Sequence, residues 1–226
     1  MTARHPTIRP KDAAALILLR DGDHGVEALM GRRHSSHVFM PEVYVFPGGR
    51  VDRGDARVPT ASPLRADVEE RLTRACSPAR ARALAVAAIR ETFEETGFIL
   101  AQPLARLRGA VRPHWRGFHD KGLAPALDLL EFVCRATTPP GESRRFNARF
   151  FLADAANLRG EQGGGPELED IRWVPIEPPD DLPIANITRC VLSEVRRLLA
   201  EPPPPGRRRA VPTYRYVDEA ERRFTE

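Results

Sequence analysis

The chain has 226 residues, 42% hydrophobic and 29% charged, with 35 basic against 31 acidic side chains and a formal net charge of +4. These are globular values, and they exclude wholesale disorder, a collagen-like fibre and a coiled coil. No apolar run approaches the roughly 20 residues that cross a bilayer, so no membrane partner is expected.

The elements follow in chain order. Ala13–Arg20 reads as a buried strand. Arg4, Arg9 and Lys11 ahead of it mimic a secretory leader, but Asp12, Arg20-Asp21 and the want of a small-residue cleavage site favour the strand. Asp21 to Gly25 is turn chemistry, and Val26–Arg33 returns to form a hairpin. Val43–Phe46 is a further β-rich run, stopped at Pro47-Gly48-Gly49. Ser62-Pro63 and Ser77-Pro78 each set an N-cap before a proline at the first helical position. One helix is therefore expected from Pro63 to about Cys76, and a second over Pro78–Thr96 with Gly97 as its left-handed stop.

Further strands are expected over Leu129–Ala136, Arg149–Leu152 and Ile171–Val174, with a Gly-rich loop at 160–166, and a helix over Ile184–Leu199. From Glu201, through Pro202 to Pro205 and Arg207-Arg208-Arg209, the tail reads as a Pro/Arg-rich extended arm. The domain is placed at 1–200 and the arm at 201–226. Strands alternating with helices predict an α/β domain, a mixed sheet flanked by helices.

Three widely spaced cysteines, Cys76, Cys134 and Cys190, form no C-x-x-C pair and point to a reducing, cytoplasmic compartment. The run 207–209 has acids around it and no aromatic-rich basic stripe, so it reads as solvated surface and nucleic-acid binding is disfavoured. The arm is a candidate bridge to a second copy in a homodimer.

The helix over Ala83–Gly97 carries the chemistry. At 100° per residue, Val86, Ile89 and Phe93 form a core stripe, while Glu91, Glu94 and Glu95 gather on the opposite side. Such a face is either solvated surface or a cation site. Three carboxylates crowd the last two turns, where the helix dipole is already negative, at a cost of about 0.3–1 kcal/mol each. Arg90 can reach Glu94, and the cluster holds no second cation. A divalent cation would supply the missing charge, and an all-oxygen donor set suits Mg2+ or Mn2+.

Arg90-Glu91-Thr92-Phe93-Glu94-Glu95-Thr96-Gly97-Phe98 resembles the second half of the Nudix box, R-E-U-x-E-E-x-G-U, at every charged and glycine position. Thr92 stands where an apolar residue is expected. Phe46-Pro47-Gly48-Gly49 resembles the glycine start of the same box, and Asp55 stands where the family's next glutamate falls. The stretch from Gly49 to Arg90 is longer than in the standard box, with an insertion at about 55–77. It resembles the branch of the peroxisomal coenzyme A diphosphatases and their bacterial relatives, as do Phe39-Met40-Pro41 and Arg145 to Ala153.

This resemblance implies a Nudix fold, a mixed sheet sandwiched between helices, with an extra helix inside the box. It implies metal-dependent hydrolysis of the pyrophosphate bond in a nucleoside diphosphate linked to another moiety. Coenzyme A or its derivatives are favoured. ADP-ribose or another nucleotide sugar, or a nucleotide-sensing module without catalysis, are the alternatives. The implied ligands of Mg2+ or Mn2+ are Glu91, Glu94, Glu95 and the Gly49 carbonyl, with Arg90 as an orienting residue. The base is implied to be a box glutamate, Glu91 or Glu94, or a distal acid. Among the distal acids Glu161, Glu167 and Glu169, the last two directly precede a strand and are preferred. Arg33 and Arg145, with Arg32 and Arg144, are candidates for substrate phosphates, and Tyr44, Trp115 and Phe118 for base stacking or core packing.

Overall fold

Successive side chains of the first strand, β1 (Lys11–Gly22), face opposite ways. Leu16 and Leu18 therefore enter one buried cluster while Ile17 and Leu19 enter another. A strand buried on both faces needs cover on both, and helices supply it. The structure, a computed structural model, describes residues 8–23, 25–36, 40–104, 113–203, 209–217 and 220–226. Arg4, His37, Val38, Phe39, Arg207 and Arg208 lie outside the described residues.

β2 (Gly25–Arg33) turns back on β1 as expected, with Gly22 opposite Gly25. The ladder between them runs from Gly22↔Gly25 to Leu19↔Ala28, and then the two strands part. The segment 44–50 enters the fork: β3 (Tyr44–Val45) pairs with β2, and β4 (Gly48–Arg50) pairs with β1. The approach is tight. A β-carbon on Gly48 would lie 2.6 Å from the Ala14 carbonyl oxygen and from the Ala15 Cα. The fork therefore needs glycine against a strand of alanines.

A 3-10 turn, Asp55–Arg57, and then α1 (Ala66–Thr73) follow. The helix is shorter and later than Ser62-Pro63 predicts. Ser62 bridges to Ala126 and its hydroxyl donates to the Asp128 carboxylate, so it is drawn away from capping, and α1 starts after Arg65 with no side-chain cap. The helix α2 (Pro78–Thr96) has both predicted ends: Ser77 Oγ accepts from the Arg80 N–H at 3.3 Å, and Gly97 takes φ +77°.

The chain continues through β5 (Ile99–Pro103), α3 (Arg116–His119), β6 (Leu123–Pro125), β7 (Glu131–Thr137) and β8 (Phe146–Asp154). After these come β9 (Leu158–Arg159), β10 (Leu168–Pro175), α4 (Asn186–Ala200), β11 (Pro212–Val217) and β12 (Ala220–Thr225). The main sheet runs β10-β2-β1-β8-β7-β11-β12, and β6-β5-β9 form a small second sheet. In the main sheet β1–β8 and β7–β11 are parallel and the other neighbours antiparallel. This is a mixed α/β sandwich, as the resemblance implies. On one face α1 and α2 bring Val68, Leu84 and Ile89 against Leu16, Leu18 and Phe151. On the other, Val191, Leu192 and Val195 of α4 pack with Ile17, Met30 and Val133. No described helix is long and apolar enough to cross a membrane. All three cysteines are free thiols.

The tail departs most from expectation. The extended arm expected over 201–226 is, in its last residues, the hairpin β11–β12, which extends the sheet from β7. Val211, Thr213 and Tyr214 are buried. The Tyr214 hydroxyl donates to Glu194 Oε1 at 2.6 Å, and Arg223 Nε donates to the same oxygen at 2.5 Å, which ties the hairpin to α4. The proline and arginine composition of 202–209 masked the β-rich run Thr213-Tyr214-Arg215-Tyr216 behind it.

A chain ended after Pro203 loses the burial of Val211 and Tyr214 and leaves Glu194 without two donors. We expect it to be less stable by about 3 kcal/mol or more, a fall in Tm of at least roughly 6 °C by calorimetry. An unchanged Tm would restore the tail to the status of a dispensable arm.

Candidate active site

The fork in the sheet brings Gly48 and Gly49 to the C-terminal half of α2. The Glu91 carboxylate lies flat against Gly49, where a β-carbon would fall 2.4 Å from Glu91 Cδ. The Gly48 N–H donates to Glu95 Oε2 at 2.8 Å. Two carboxylates one helical turn apart therefore meet the same short strand. Glu95 is buried, with 5% of its surface exposed.

Arg90 holds the arrangement from below. Its guanidinium, 3% exposed, makes a two-pronged bond to Asp55, with Nε to Oδ1 and Nη2 to Oδ2 both at 3.1 Å. It also donates to Glu91 Oε1 at 2.8 Å, to Glu94 Oε2 at 3.0 Å, and to the Arg50 carbonyl at 2.9 Å. Arg90 thus ties α2 to the strand carrying the glycines and to the turn that follows it. Burial pulls its pKa down, but the Asp55 bond and the charges of Glu91, Asp55 and Glu94 outweigh that and hold it above the ordinary value.

Glu94 stands apart from the other two acids. Its Oε1 lies 2.6 Å from His114 Nδ1, and 28% of its side chain is exposed. Consequently the three glutamates do not close into one cluster: among the described residues no three His, Cys, Asp or Glu side chains are grouped to hold a metal as they stand. His114 had no local sequence signal, because it arrives from a turn distant in the chain, Pro113–Trp115.

The remaining pair is electrostatically frustrated. Burial pushes Glu91 up to about 7 against the pull of Arg90, and the charges of Glu94 and Glu167 add to the rise. Glu95 is raised well above the carboxylate range by burial, which outweighs its Gly48 bond; Glu91 and Glu167 raise it further. Glu91 Oε2 and Glu95 Oε1 accept no hydrogen bond from the described residues. A buried carboxylate and a part-buried one, each with an oxygen left over beside a glycine backbone, are a donor set that fits a hard divalent cation.

The distal residues divide. Glu167, exposed, lies near enough for its charge to act on Glu91, Glu95 and Arg33. Glu169 pairs with Arg32 at 3.4 Å and His34 at 3.3 Å on the β10–β2 ladder. Arg33 has its pKa lowered by burial, against the opposing charges of Glu95 and Glu167. Arg145 is elsewhere: it donates to the Thr138 carbonyl at 3.1 Å and the Ile8 carbonyl at 2.8 Å, and its own carbonyl accepts from Lys11 N–H. Trp115 and Phe118 are core residues, with Phe93 and Phe118 in edge contact at 5.2 Å. Tyr44 is buried, with the Arg172 guanidinium 4.4 Å over its ring and its hydroxyl donating to Asp170. The Gly-rich loop closes the end of α2: Gly163 N–H donates to the Thr96 carbonyl at 2.8 Å and Gly165 N–H to the Glu95 carbonyl at 3.1 Å.

Among solved structures, the chain is similar to a NUDIX hydrolase from Alicyclobacillus acidocaldarius, with 28% identity over 82% of this chain and 90% of that one and a TM-score of 0.62. Looser likenesses are a MutT NUDIX hydrolase from Burkholderia pseudomallei, 18% identical over 83% and 99% of the two chains with a TM-score of 0.48, and the NUDIX domain of Shewanella oneidensis NrtR, solved with ADP ribose, 14% identical over 85% and 90% with a TM-score of 0.48. No family model and no curated protein matches the chain.

The raised Glu91 pKa has a signed consequence for stability. The folded, metal-free protein keeps the Glu91 proton up to about pH 7, whereas the unfolded chain releases it near 4.5. The stability this group contributes is complete below about pH 4.5 and is lost as pH rises through 7, by up to about 3 kcal/mol. Thermal unfolding in chelator should therefore show a midpoint that falls from pH 5 to pH 8, with a shallower fall in Glu91→Gln. A wild-type midpoint that is level across that range would contradict the burial of this carboxylate.

Proposed function

Proceeding from the chain as a Nudix-type hydrolase, we propose that it cleaves the pyrophosphate bond of a nucleoside diphosphate linked to another moiety, coenzyme A or a derivative being the favoured substrate, with Mg2+ or Mn2+ as cofactor. The observation that carries this reading is the pair Glu91 and Glu95, set against Gly48-Gly49 with one cation, Arg90, bonded to Glu91 of the two. A divalent cation bound there supplies the positive charge that a polyanionic substrate needs and acidifies water. Glu91 and Glu95 are the ligands of this reading, with the Gly49 carbonyl beside them. Glu94, the most exposed of the three acids, joins by turning from His114.

Each remaining residue has one task. Arg90 is a positioning residue: its five hydrogen bonds fix Glu91 relative to Gly49 and leave it no reach toward substrate. Glu167, whose charge is felt at both Glu91 and Glu95, is the acid that accepts a proton from attacking water. Arg33 meets a substrate phosphate. Glu169 is engaged by Arg32 and His34 and is the weaker base candidate. Coenzyme A is preferred over ADP-ribose on the resemblance of Met40-Pro41, Arg145 to Ala153 and the long stretch between Gly49 and Arg90 to the coenzyme A branch.

Coenzyme A, ADP-ribose, NADH, diadenosine polyphosphates and capped RNA, assayed with Mg2+ or Mn2+, should rank coenzyme A first in kcat/KM. Glu95→Gln should lower kcat by about a thousandfold or more with its circular dichroism unchanged. Glu167→Gln should cost about a hundredfold and Glu169→Gln less than about fivefold. A Glu95→Gln protein that turns over at the parent rate would remove the ligand assignment. Equal losses in the two loop variants would remove Glu167 as the base.

A further inference from the structure

A second concave site lies at the other end of α2. A cleft of about 1270 Å³ opens between the first turn of α2, the start of β1, the loop over 50–57 and the ends of β7, β8 and β11. Nine arginines and lysines line it against two aspartates. All but Asp52 of the acids in reach are already committed. Arg149 and Arg80 share Asp12, at 2.6 and 3.4 Å, and Arg135 and Arg215 share Glu226, both at 3.1 Å. The other five cations, Arg9, Lys11, Arg50, Arg53 and Arg57, are exposed and meet no carboxylate among the described residues. Arg135 Nε, in the wall of the cleft, is buried with no hydrogen-bond partner.

Five like charges around one concavity repel one another, and among the described lining residues only the single carboxylate of Asp52 is left to offset them. The arrangement calls for a multivalent anion. Arginine forks take phosphate oxygens in pairs, and a linear chain of phosphates can engage several forks at once. The concavity suits a small molecule. Among the described residues no aromatic side chain lines it, so these supply no platform on which the bases of a single-stranded nucleic acid stack. We propose that this cleft is a binding site for a linear oligophosphate, either inorganic or the phosphate chain of a nucleotide, separate from the active site. The separation is about 12 Å along α2 between Ala83, in its wall, and Glu91, at 1.5 Å per residue.

The two sites share one segment. Arg50 lines the cleft with its side chain and receives Arg90 at its carbonyl, and Arg57 ends the turn whose Asp55 clamps Arg90. An occupant therefore braces the strand and turn that carry Gly49. The inference does not depend on the hydrolase reading, because its test needs no turnover.

The test is calorimetric titration of the full chain with sodium tripolyphosphate, in chelator and at fixed physiological ionic strength, with sulfate as the reference anion. Tripolyphosphate should bind one to one and at least tenfold more tightly than sulfate. Replacing both exposed arginines, Arg53→Ser with Arg57→Ser, should weaken it at least tenfold at an unchanged Tm. Arg33→Ala and Glu95→Gln should leave it within twofold. ATP bound more tightly than tripolyphosphate would assign the nucleotide as the source, and equal affinity with silent adenosine the inorganic chain. Three results would overturn the proposal: no saturable heat, loss of binding in Arg33→Ala but not in the double variant, or a single-stranded RNA 12-mer bound more tightly than tripolyphosphate.

Discussion

The buried guanidinium of Arg90 is the constraint on which the site depends. It sits almost wholly out of water and is bonded to Asp55, Glu91, Glu94 and the Arg50 carbonyl. A charge so placed is tolerable only while every donor is answered; removing one partner of such a buried pair costs about 3–5 kcal/mol. These bonds join three pieces of chain that local forces would not bring together: the end of a helix, the strand in the sheet fork, and the turn after it. Register between α2 and Gly48-Gly49 is thereby fixed by a polar network, and the apolar faces of the helix and sheet set only the general approach.

With that register fixed, the two glycines become necessary. Gly48 lets the strand close on Ala14 and Ala15, and Gly49 lets the Glu91 carboxylate lie on the backbone. The outcome is two carboxylates in a site too dry to carry two negative charges unaided, and both are pushed toward their protonated forms. Folding thus stores an electrostatic deficit, which under the proposed function a divalent cation relieves. The basic cleft at the far end of α2 has the complementary problem, an excess of positive charge that the described acids do not balance. One helix separates the proposed cation site from the proposed anion site.

The parts of the fold written in local chemistry were legible in the sequence. The hairpin of β1 and β2 showed in its turn residues, the ends of α2 in Ser77-Pro78 and Gly97, and the acidic face in its helical spacing. The Nudix fold followed from the resemblance of 90–98 and 46–49. Long-range competition hid the rest. Ser62 has the makings of a cap, but Asp128, distant in the chain, takes its hydroxyl. The tail reads as solvated by composition, yet its alternating run finds a free sheet edge at β7. Arg145 looked like a phosphate ligand and instead ties down backbone carbonyls. No local pattern could announce that His114 would meet Glu94, or that Glu169 would pair with Arg32 and His34 while Glu167 kept its charge within reach of Glu91 and Glu95.

The central claim is that Glu91 and Glu95 hold a divalent cation against the Gly49 backbone. Anomalous diffraction at the manganese edge, from crystals of the full chain soaked in Mn2+, tests it most directly. The account predicts a peak within about 2.5 Å of oxygens from both carboxylates. A saturating soak that leaves this position empty, with manganese bound elsewhere or not at all, would contradict it.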